Sequence, residues 1–183
     1  MHPNVVDPGQ AFLLVVDLQE SYRPALHEWE RTIERACVLI RGASLLGLPL
    51  LYTEQYPKGL GHTTPEVLDA LGDAPRFEKQ SLSALGAPGL AEHVLGLGRR
   101  TAIVCGIETH ACINQTAHAL LGWGFTVHLA RDALSSRRPL EHEEGYAKLL
   151  RSGAIGGSVE SILLECVRSA DHPAFKAVHA LIK

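Results

Sequence analysis

The sequence predicts an α/β fold with a mostly parallel sheet, because strand-like and helix-like segments alternate from one end of the chain to the other. Two continuous apolar runs are typical of strands buried on both faces: AFLLVV at residues 11–16 and TAIVC at residues 101–105. The chain of 183 residues has no repeat, low-complexity tract or long linker. We therefore expect residues 1–183 to form a single domain.

The first half of the chain contains three strand-like and three helix-like segments. The predicted strands are residues 11–16, 49–53 and, at a sheet edge, 76–79, and the predicted helices are residues 28–46, 65–71 and 90–97. Gly47 and Gly98 suit the ends of two of these helices, and Thr64 with Pro65 suits the start of another. Residues 54–64, EQYPKGLGHTT, carry glycine and proline without periodicity, so a loop is predicted there.

The second half repeats this alternation. The predicted strands are residues 101–105, 125–130 and 153–156, and the predicted helices are residues 111–121, 139–151, 159–167 and 172–182. Gly106 interrupts the apolar run before the first of these helices. Residues at such a strand-to-helix junction lie at the carboxyl edge of a parallel sheet, where open α/β folds bind ligands.

Composition excludes several classes of protein. A net charge of −3 gives no electrostatic reason to expect nucleic acid or an anionic membrane as a partner. No apolar run is long enough to span a bilayer, and the N-terminus lacks the pattern of a secretory signal. Four cysteines without paired spacing indicate free thiols in a reducing compartment. These observations predict a cytoplasmic protein.

Cys112 is the candidate nucleophile. It falls in the first turn of the helix after residues 101–105, and Thr109 is a plausible N-cap, so the free N–H groups and the helix dipole should favour a thiolate. The alternative is plain packing, since free cysteines are usually buried as small apolar side chains. That alternative is the preferred interpretation for Cys37, Cys105 and Cys166.

Asp17 and Lys79 are the candidate partners of Cys112, because each also stands where a predicted strand ends. A carboxylate beside a thiol can act as a general base and later return the proton to a leaving amine. A lysine between them should lower the thiol pKa and keep the carboxylate ionised. The alternatives are a helix cap or turn for Asp17 and a solvated surface charge for Lys79.

A family resemblance favours the catalytic interpretation. The phrases LLVVDLQESYRPAL, TEQYPKGLG, FEKQSLSAL and VCGIETHACINQTAHALLGWGFTVHLARDALSSR resemble the isochorismatase-like cysteine hydrolases over nearly the whole chain, and HPAFKAVHALIK resembles the isochorismatase domain-containing subgroup. The resemblance implies a six-stranded sheet flanked by helices in three α/β/α layers (a Rossmann-like architecture) and a homo-oligomer, either a dimer or a tetramer. It also implies a triad that hydrolyses C–N bonds of small amides, with Cys112 as nucleophile, Asp17 as base and acid, and Lys79 as charge partner.

The resemblance further implies a non-proline cis peptide bond between Ile107 and Glu108, and we expect the backbone N–H groups of Glu108 and Cys112 to form the oxyanion hole. The chain departs from members of this family in two respects. Nicotinamidases carry an Asp-x-His metal site after the second strand. This chain has Glu54-Gln55-Tyr56 there, so no metal and no cofactor are expected. Isochorismatases proper lack the cysteine, which makes isochorismate a poor substrate candidate.

Three residues near the predicted strand ends are candidates for substrate binding: Gln19, Gln55 and Tyr56. Gln19 could equally be a surface residue, and the other two could simply pack the loop. Tyr22 is a weaker candidate, because core or subunit contact is the more common role of such an aromatic residue. The sequence segment containing Asp132, Ser135 and Ser136 is interpreted as a structural brace made of turn and cap hydrogen bonds.

Together these observations predict a hydrolase acting on a non-peptide C–N bond of a small amide-type molecule through a thioester acyl-enzyme. Two alternatives remain: a non-catalytic binding or regulatory member of the fold, and a redox-sensing thiol protein that uses an accessible cysteine of low pKa. The sequence does not indicate which small molecule is the substrate.

Overall fold

The protein is built on one six-stranded sheet in which every strand runs parallel to its neighbours. The computed structural model describes residue 2 and residues 4–183. The strands are β1 (Ala11–Val16), β2 (Leu50–Gln55), β3 (Arg76–Lys79), β4 (Thr101–Ile107), β5 (Thr126–Ser135) and β6 (Ile155–Gly157), in the spatial order β3-β2-β1-β4-β5-β6. The order reverses between β1 and β4, which is the position where such sheets form a ligand crevice.

Helices cover both faces of this sheet. They are α1 (Trp29–Leu45), α2 (Pro57–Leu60), α3 (Pro65–Leu71), α4 (Leu90–Gly96), α5 (Asn114–Gly122), α6 (Pro139–Arg151), α7 (Val159–Val167) and α8 (Phe175–Ile182). A π-helical turn, Thr109–Ile113, joins β4 to α5, and we call it the nucleophile turn. Within residues 2 and 4–183, no helix combines the length and apolar character needed to cross a bilayer.

The core has two layers because side chains alternate across each strand. From β1, Leu13 and Val15 pack with α1 and α7 on one face, while Phe12, Leu14 and Val16 pack with α4 and α5 on the other. The three-layer α/β/α fold with a parallel six-stranded sheet is therefore confirmed. All four cysteines are free and buried. Cys37, Cys105 and Cys166 belong to the core on the α1 face, as predicted, and Cys112 also packs in the core layer on the opposite face.

The structure corrects three predicted boundaries. Residues 54–64 are not all loop, since β2 continues to Gln55 and α2 follows almost at once. Gly106 does not end β4, which continues to Ile107. Strand β5 extends to Ser135, five residues beyond the predicted end. In each case pairing with a neighbouring strand continues where the local pattern of residues had indicated a break.

Gly106 allows β1 and β4 to approach closely just before the crevice. Its φ is +122°, and a Cβ built there would lie 2.0 Å from the carbonyl oxygen of Val16. The approach brings the residue after β1, Asp17, close to the residues after β4.

We predict that Gly106→Ala lowers the free energy of unfolding by about 3 kcal/mol or more, because both the backbone conformation and the contact with Val16 must change. Gly96→Ala is the matched control, since its Cβ would meet no atom within 4 Å and its backbone is helical. The control should leave the stability within about 1 kcal/mol of the wild type. Urea unfolding measures both variants, and equal stabilities would contradict the assignment.

Candidate active site

Three residues far apart in the sequence meet at the carboxyl edge of the sheet. Asp17 follows β1, Lys79 is the last residue of β3, and Cys112 lies in the nucleophile turn after β4. The Lys79 Nζ lies 2.6 Å from Asp17 Oδ2 and 3.5 Å from Cys112 Sγ. The structure therefore brings together the three side chains predicted to form the triad. They are 1%, 2% and 6% exposed for Asp17, Lys79 and Cys112 respectively, so the group is almost fully desolvated.

The Asp17 carboxylate is held from two sides. Thr53 on β2 donates its hydroxyl to Oδ1 at 2.7 Å, and Lys79 approaches Oδ2. Burial is the largest influence on this group and raises the pKa of Asp17, although the Lys79 charge opposes the rise. A carboxyl with a raised pKa is closer to the range in which it can exchange a proton near neutral pH.

The Lys79 ammonium has acceptors around it besides Asp17. Its Nζ donates to Gln55 Oε1 at 2.6 Å and contacts the carbonyl oxygens of Ser81 and Leu82 at 3.2 and 3.3 Å. The ammonium group has three protons to donate, and four oxygens surround it. This arrangement fixes the positive charge between the carboxylate and the thiol, so Lys79 is not the solvated surface charge of the alternative interpretation.

The electrostatics of Cys112 differ from the sequence-based expectation of a ready thiolate. Glu108 rather than Thr109 occupies the N-cap position, and Cys112 is the fourth residue of the π-helical turn. Burial raises the pKa of Cys112 to about 12, and the negative charge of Asp17 adds to this effect more than the Lys79 charge offsets it. The thiol is therefore protonated in the free protein, and a base is needed to make it a nucleophile.

The segment after β2 is held by a buried glutamine. Gln19 is fully buried; its side-chain amide donates to the carbonyls of Gln55 and Gly61 at 3.0 and 2.6 Å and accepts from the Gln55 N–H at 2.7 Å. These bonds use the amide of Gln19 inside the protein, which does not support its predicted contact with substrate. Gln55 contacts Lys79 instead of standing free. Tyr56 is 46% exposed, and its backbone N–H donates to the Lys79 carbonyl at 2.8 Å.

Glu54 fixes the other end of this segment. Its buried carboxylate accepts from the N–H and hydroxyl of Thr63 at 2.8 and 2.9 Å and lies 3.0 Å from His62 Nδ1, with Arg76 at 3.6 Å. Burial acts to raise the pKa of Glu54, but the bonds from Thr63 and His62 and the charge of Arg76 together lower it below its ordinary value. Glu54 thus helps to fix the segment that contains Gln55, the residue whose side chain contacts Lys79.

Glu54→Gln should destabilise the protein by about 1.5–3 kcal/mol near pH 7, because charge-assisted bonds are replaced by weaker ones. A carboxylate with a lowered pKa contributes stability above its unfolded pKa of 4.5 and loses it as the pH falls through the folded pKa. The stability difference from the wild type should therefore shrink below about pH 4.5. Glu78→Gln, at an exposed ion pair of β3, is the matched control and should change stability by less than about 1 kcal/mol. A difference that stays constant with pH would contradict the role of the charge.

A second charged pair stands beside the triad. The Glu108 carboxylate accepts from the backbone N–H and the Nε of Arg137 at 3.0 and 2.9 Å. Burial raises the pKa of Tyr22 to about 12, and Cys112, Asp17 and Glu108 add to the rise, which puts this phenol within electrostatic reach of the triad. Tyr22 is partly buried and packs against the core cluster that contains α1, which agrees with the core packing favoured by the sequence. An open cavity of about 580 Å³ adjoins this pair and is lined by Ala25, Glu108, His110, Arg137, Arg138 and Glu141.

The nucleophile turn is braced by β5 and α6. The Thr109 hydroxyl donates to the Ser135 carbonyl at 3.1 Å and lies 2.8 Å from His142 Nδ1. Asp132 accepts from Arg35 at 2.9 Å and from the first N–H of α7 at 2.8 Å. These turn and cap bonds confirm the structural role predicted for this segment. The bonds of Gln55, Glu108 and Thr109 were not predicted, because no local pattern marks a partner that is distant in sequence.

The peptide bond between Ile107 and Glu108 is cis, as the resemblance implied. In residues 2 and 4–183, no group of three or more histidine, cysteine or acidic side chains is placed to hold a metal ion. The position that carries a metal site in nicotinamidases is occupied by Glu54, whose partners are the side chains described above.

Comparisons with known proteins agree on one family. A sequence model of the isochorismatase domain matches residues 11–161. Isochorismatase domain-containing protein 1 of Danio rerio is 38% identical over 179 residues, which is 97% of this chain but 62% of that protein. This chain therefore spans less than two thirds of the length of that relative.

Two solved structures share the fold. The MAR1 ribonuclease from Caenorhabditis elegans has a TM-score of 0.92 and 36% identity, with 97% of this chain and 92% of that chain covered. The YcaC gene product of Escherichia coli, described as an octameric hydrolase of unknown specificity, has a TM-score of 0.90 at 20% identity, with 97% and 90% covered.

Proposed function

This chain belongs to the isochorismatase domain family, and on that basis we propose that it is a cysteine hydrolase that cleaves a C–N bond of a small amide-type molecule. The family assignment supports a hydrolase. The observation that carries the finer proposal is the contact of Lys79 Nζ with both Asp17 Oδ2 and Cys112 Sγ. A nucleophile, a base and a fixed positive charge within hydrogen-bonding distance are what covalent hydrolysis of an amide requires.

In the first half-reaction, Cys112 Sγ attacks the amide carbonyl carbon while Asp17 takes the thiol proton. The new C–S bond forms, the C–N bond breaks, and Asp17 returns the proton to the leaving nitrogen. In the second half-reaction Asp17 takes a proton from water, whose oxygen attacks the thioester. The acid product leaves, and the thiol recovers its proton. We assign the oxyanion hole to the N–H groups of Glu108 and Cys112, because the first N–H groups of a helix lack intrahelical partners.

Because the pKa of Cys112 is raised, the proposed mechanism needs Asp17 as the base that removes the thiol proton. A thiol that stays protonated until substrate arrives must lose its proton during the attack, and the carboxylate beside it is the only base in the triad. Lys79 keeps a positive charge beside the sulfur as negative charge develops there. Gln55 and Gln19 act in this scheme as positioning residues, and Tyr56 remains a candidate for contact with substrate on the exposed segment.

The direct experiment is an assay of ammonia release from small amides, ureides and carbamoyl compounds. We expect the wild type to turn over at least one compound and Cys112→Ala to lose the activity by about a factor of 10³ or more, since no nucleophile remains. Cys112→Ser serves as a conservative comparison that keeps the shape of the site. Turnover that survives in Cys112→Ala would end the acyl-enzyme mechanism.

The variant Asp17→Asn should affect the ionisation of the Cys112 thiol and amide hydrolysis in opposite directions. The Asp17 charge raises the pKa of Cys112, so its removal should lower that pKa and speed alkylation of Cys112 by iodoacetamide at pH 8. The same variant should lose amide hydrolysis, because the base and acid are gone. Glu78→Gln controls for a general change in charge. Slower alkylation in Asp17→Asn would refute the assigned electrostatics.

The alternative of a redox-sensing thiol depends on an accessible cysteine of low pKa. Cys112 is 6% exposed and its pKa is raised to about 12, so it meets neither condition. A binding protein without turnover remains the second candidate, and it would show no hydrolysis across the whole panel.

We do not propose RNA as the substrate, although one structural relative is described as a ribonuclease. Single-stranded RNA sites combine a basic groove with stacking aromatic residues, whereas this chain has a net charge of −3. An RNA oligonucleotide in the same panel tests this choice, and its cleavage by the wild type but not by Cys112→Ala would replace the amide proposal.

We also propose that the protein is a cytoplasmic homo-oligomer. Sedimentation of the purified chain tests the assembly.

A further inference from the structure

A second cavity lies beyond the end of β6 and alongside the second half of β5. Its volume is about 390 Å³, which falls in the range of about 300–1,000 Å³ usual for small-molecule sites. None of the triad residues lines it. Its position outside the carboxyl ends of parallel strands is one where α/β folds bind ligands.

Two acid–base pairs stand on different walls of this cavity. At the start of α1, Arg31 Nη2 lies 2.8 Å from a Glu28 carboxylate oxygen. On the side of β5 and α6, Arg131 Nη2 lies 3.2 Å from both carboxylate oxygens of Glu143. Each guanidinium has five N–H donors, and its ion pair here uses one nitrogen. The four charged side chains line the cavity and are 44–57% exposed, and each guanidinium keeps N–H donors that its ion pair does not use.

The remaining wall is largely neutral. The ring of Tyr146, itself 8% exposed, is covered by the guanidinium of Arg131, which lies 5.2 Å from the ring centroid, and stacks with the ring of His142 at 6.2 Å. Gly156 makes room for this tyrosine, because a Cβ there would lie 2.0 Å from the Tyr146 hydroxyl oxygen. Asp132 also borders the cavity, but Arg35 at 2.9 Å balances its charge.

From this arrangement we propose that the cavity binds a small zwitterion with the chemistry of a free amino acid. Its carboxylate would accept from a guanidinium of one pair, and its ammonium would donate to a carboxylate of the other. A ligand with a single charge could engage only one of the two pairs, whereas a zwitterion can engage both at once. The proposed ligand meets both.

The test uses the full chain and the standard L-amino acids as probes. At least one should raise the melting temperature in a concentration-dependent way, and calorimetry then gives its Kd. The amide and the deaminated acid of that same amino acid should bind at least about tenfold more weakly, because each lacks one charge. Equal binding of all three compounds, or no binding by any amino acid, would overturn the proposal.

Variants locate the ligand. Arg31→Gln and Glu143→Gln should each weaken binding by about tenfold or more, whereas Arg41→Gln should leave it unchanged. Arg41 is a matched control because it forms a similar exposed ion pair, with Asp69, farther along α1. Binding must also survive in Cys112→Ala, which keeps this test independent of hydrolysis. Loss of binding in Cys112→Ala, or full binding in both cavity variants, would place the amino acid elsewhere and refute the assignment.

Discussion

The site depends on the ion pair between Asp17 and Lys79, which is almost completely removed from water. Leaving one member of such a pair without the other usually costs about 3–5 kcal/mol, because an uncompensated charge then stays buried. The strands that carry the two residues must therefore keep their relative positions. Thr53 on β2, which lies between β1 and β3, bonds to the same carboxylate. The relative positions of Asp17 and Lys79 are thus fixed by the pairing of β1, β2 and β3.

The ion pair also explains why the Cys112 thiol keeps its proton in the free protein. The Lys79 ammonium lies closer to Asp17 than to the Cys112 sulfur. Its positive charge is therefore partly balanced by Asp17 and stabilises a thiolate less. Burial and the carboxylate together keep the proton on Cys112. A substrate carbonyl at the sulfur changes this balance, since negative charge then moves onto the carbonyl oxygen and the helix N–H groups can stabilise it. In the proposed mechanism the thiol therefore becomes reactive only when substrate is bound.

The sequence was sufficient for the fold and for the positions of Asp17 and Cys112, whereas the family resemblance was needed to favour grouping them with Lys79. Buried parallel strands need continuous apolar runs, so β1 and the first part of β4 are visible locally, and Asp17 and Cys112 follow from where those runs end. Gln19 shows the limit of this reasoning. Its role lies in bonds to Gln55 and Gly61, which are 36 and 42 residues away in the chain. A polar residue after a strand looks the same in sequence whether it faces a ligand or braces a neighbouring segment.

The role of Glu54, like that of Gln19, depends on partners that are not visible in the local sequence. An acidic residue near the end of the second strand could ligate a metal, yet here the oxygens of Glu54 accept from Thr63 and His62 and lie near Arg76. These groups supply the hydrogen bonds and positive charge that a buried carboxylate needs. A metal ion would have to displace them. The segment from Gln55 to Thr63 is therefore held by protein donors, and the Gln55 contact to Lys79 links its position to the triad.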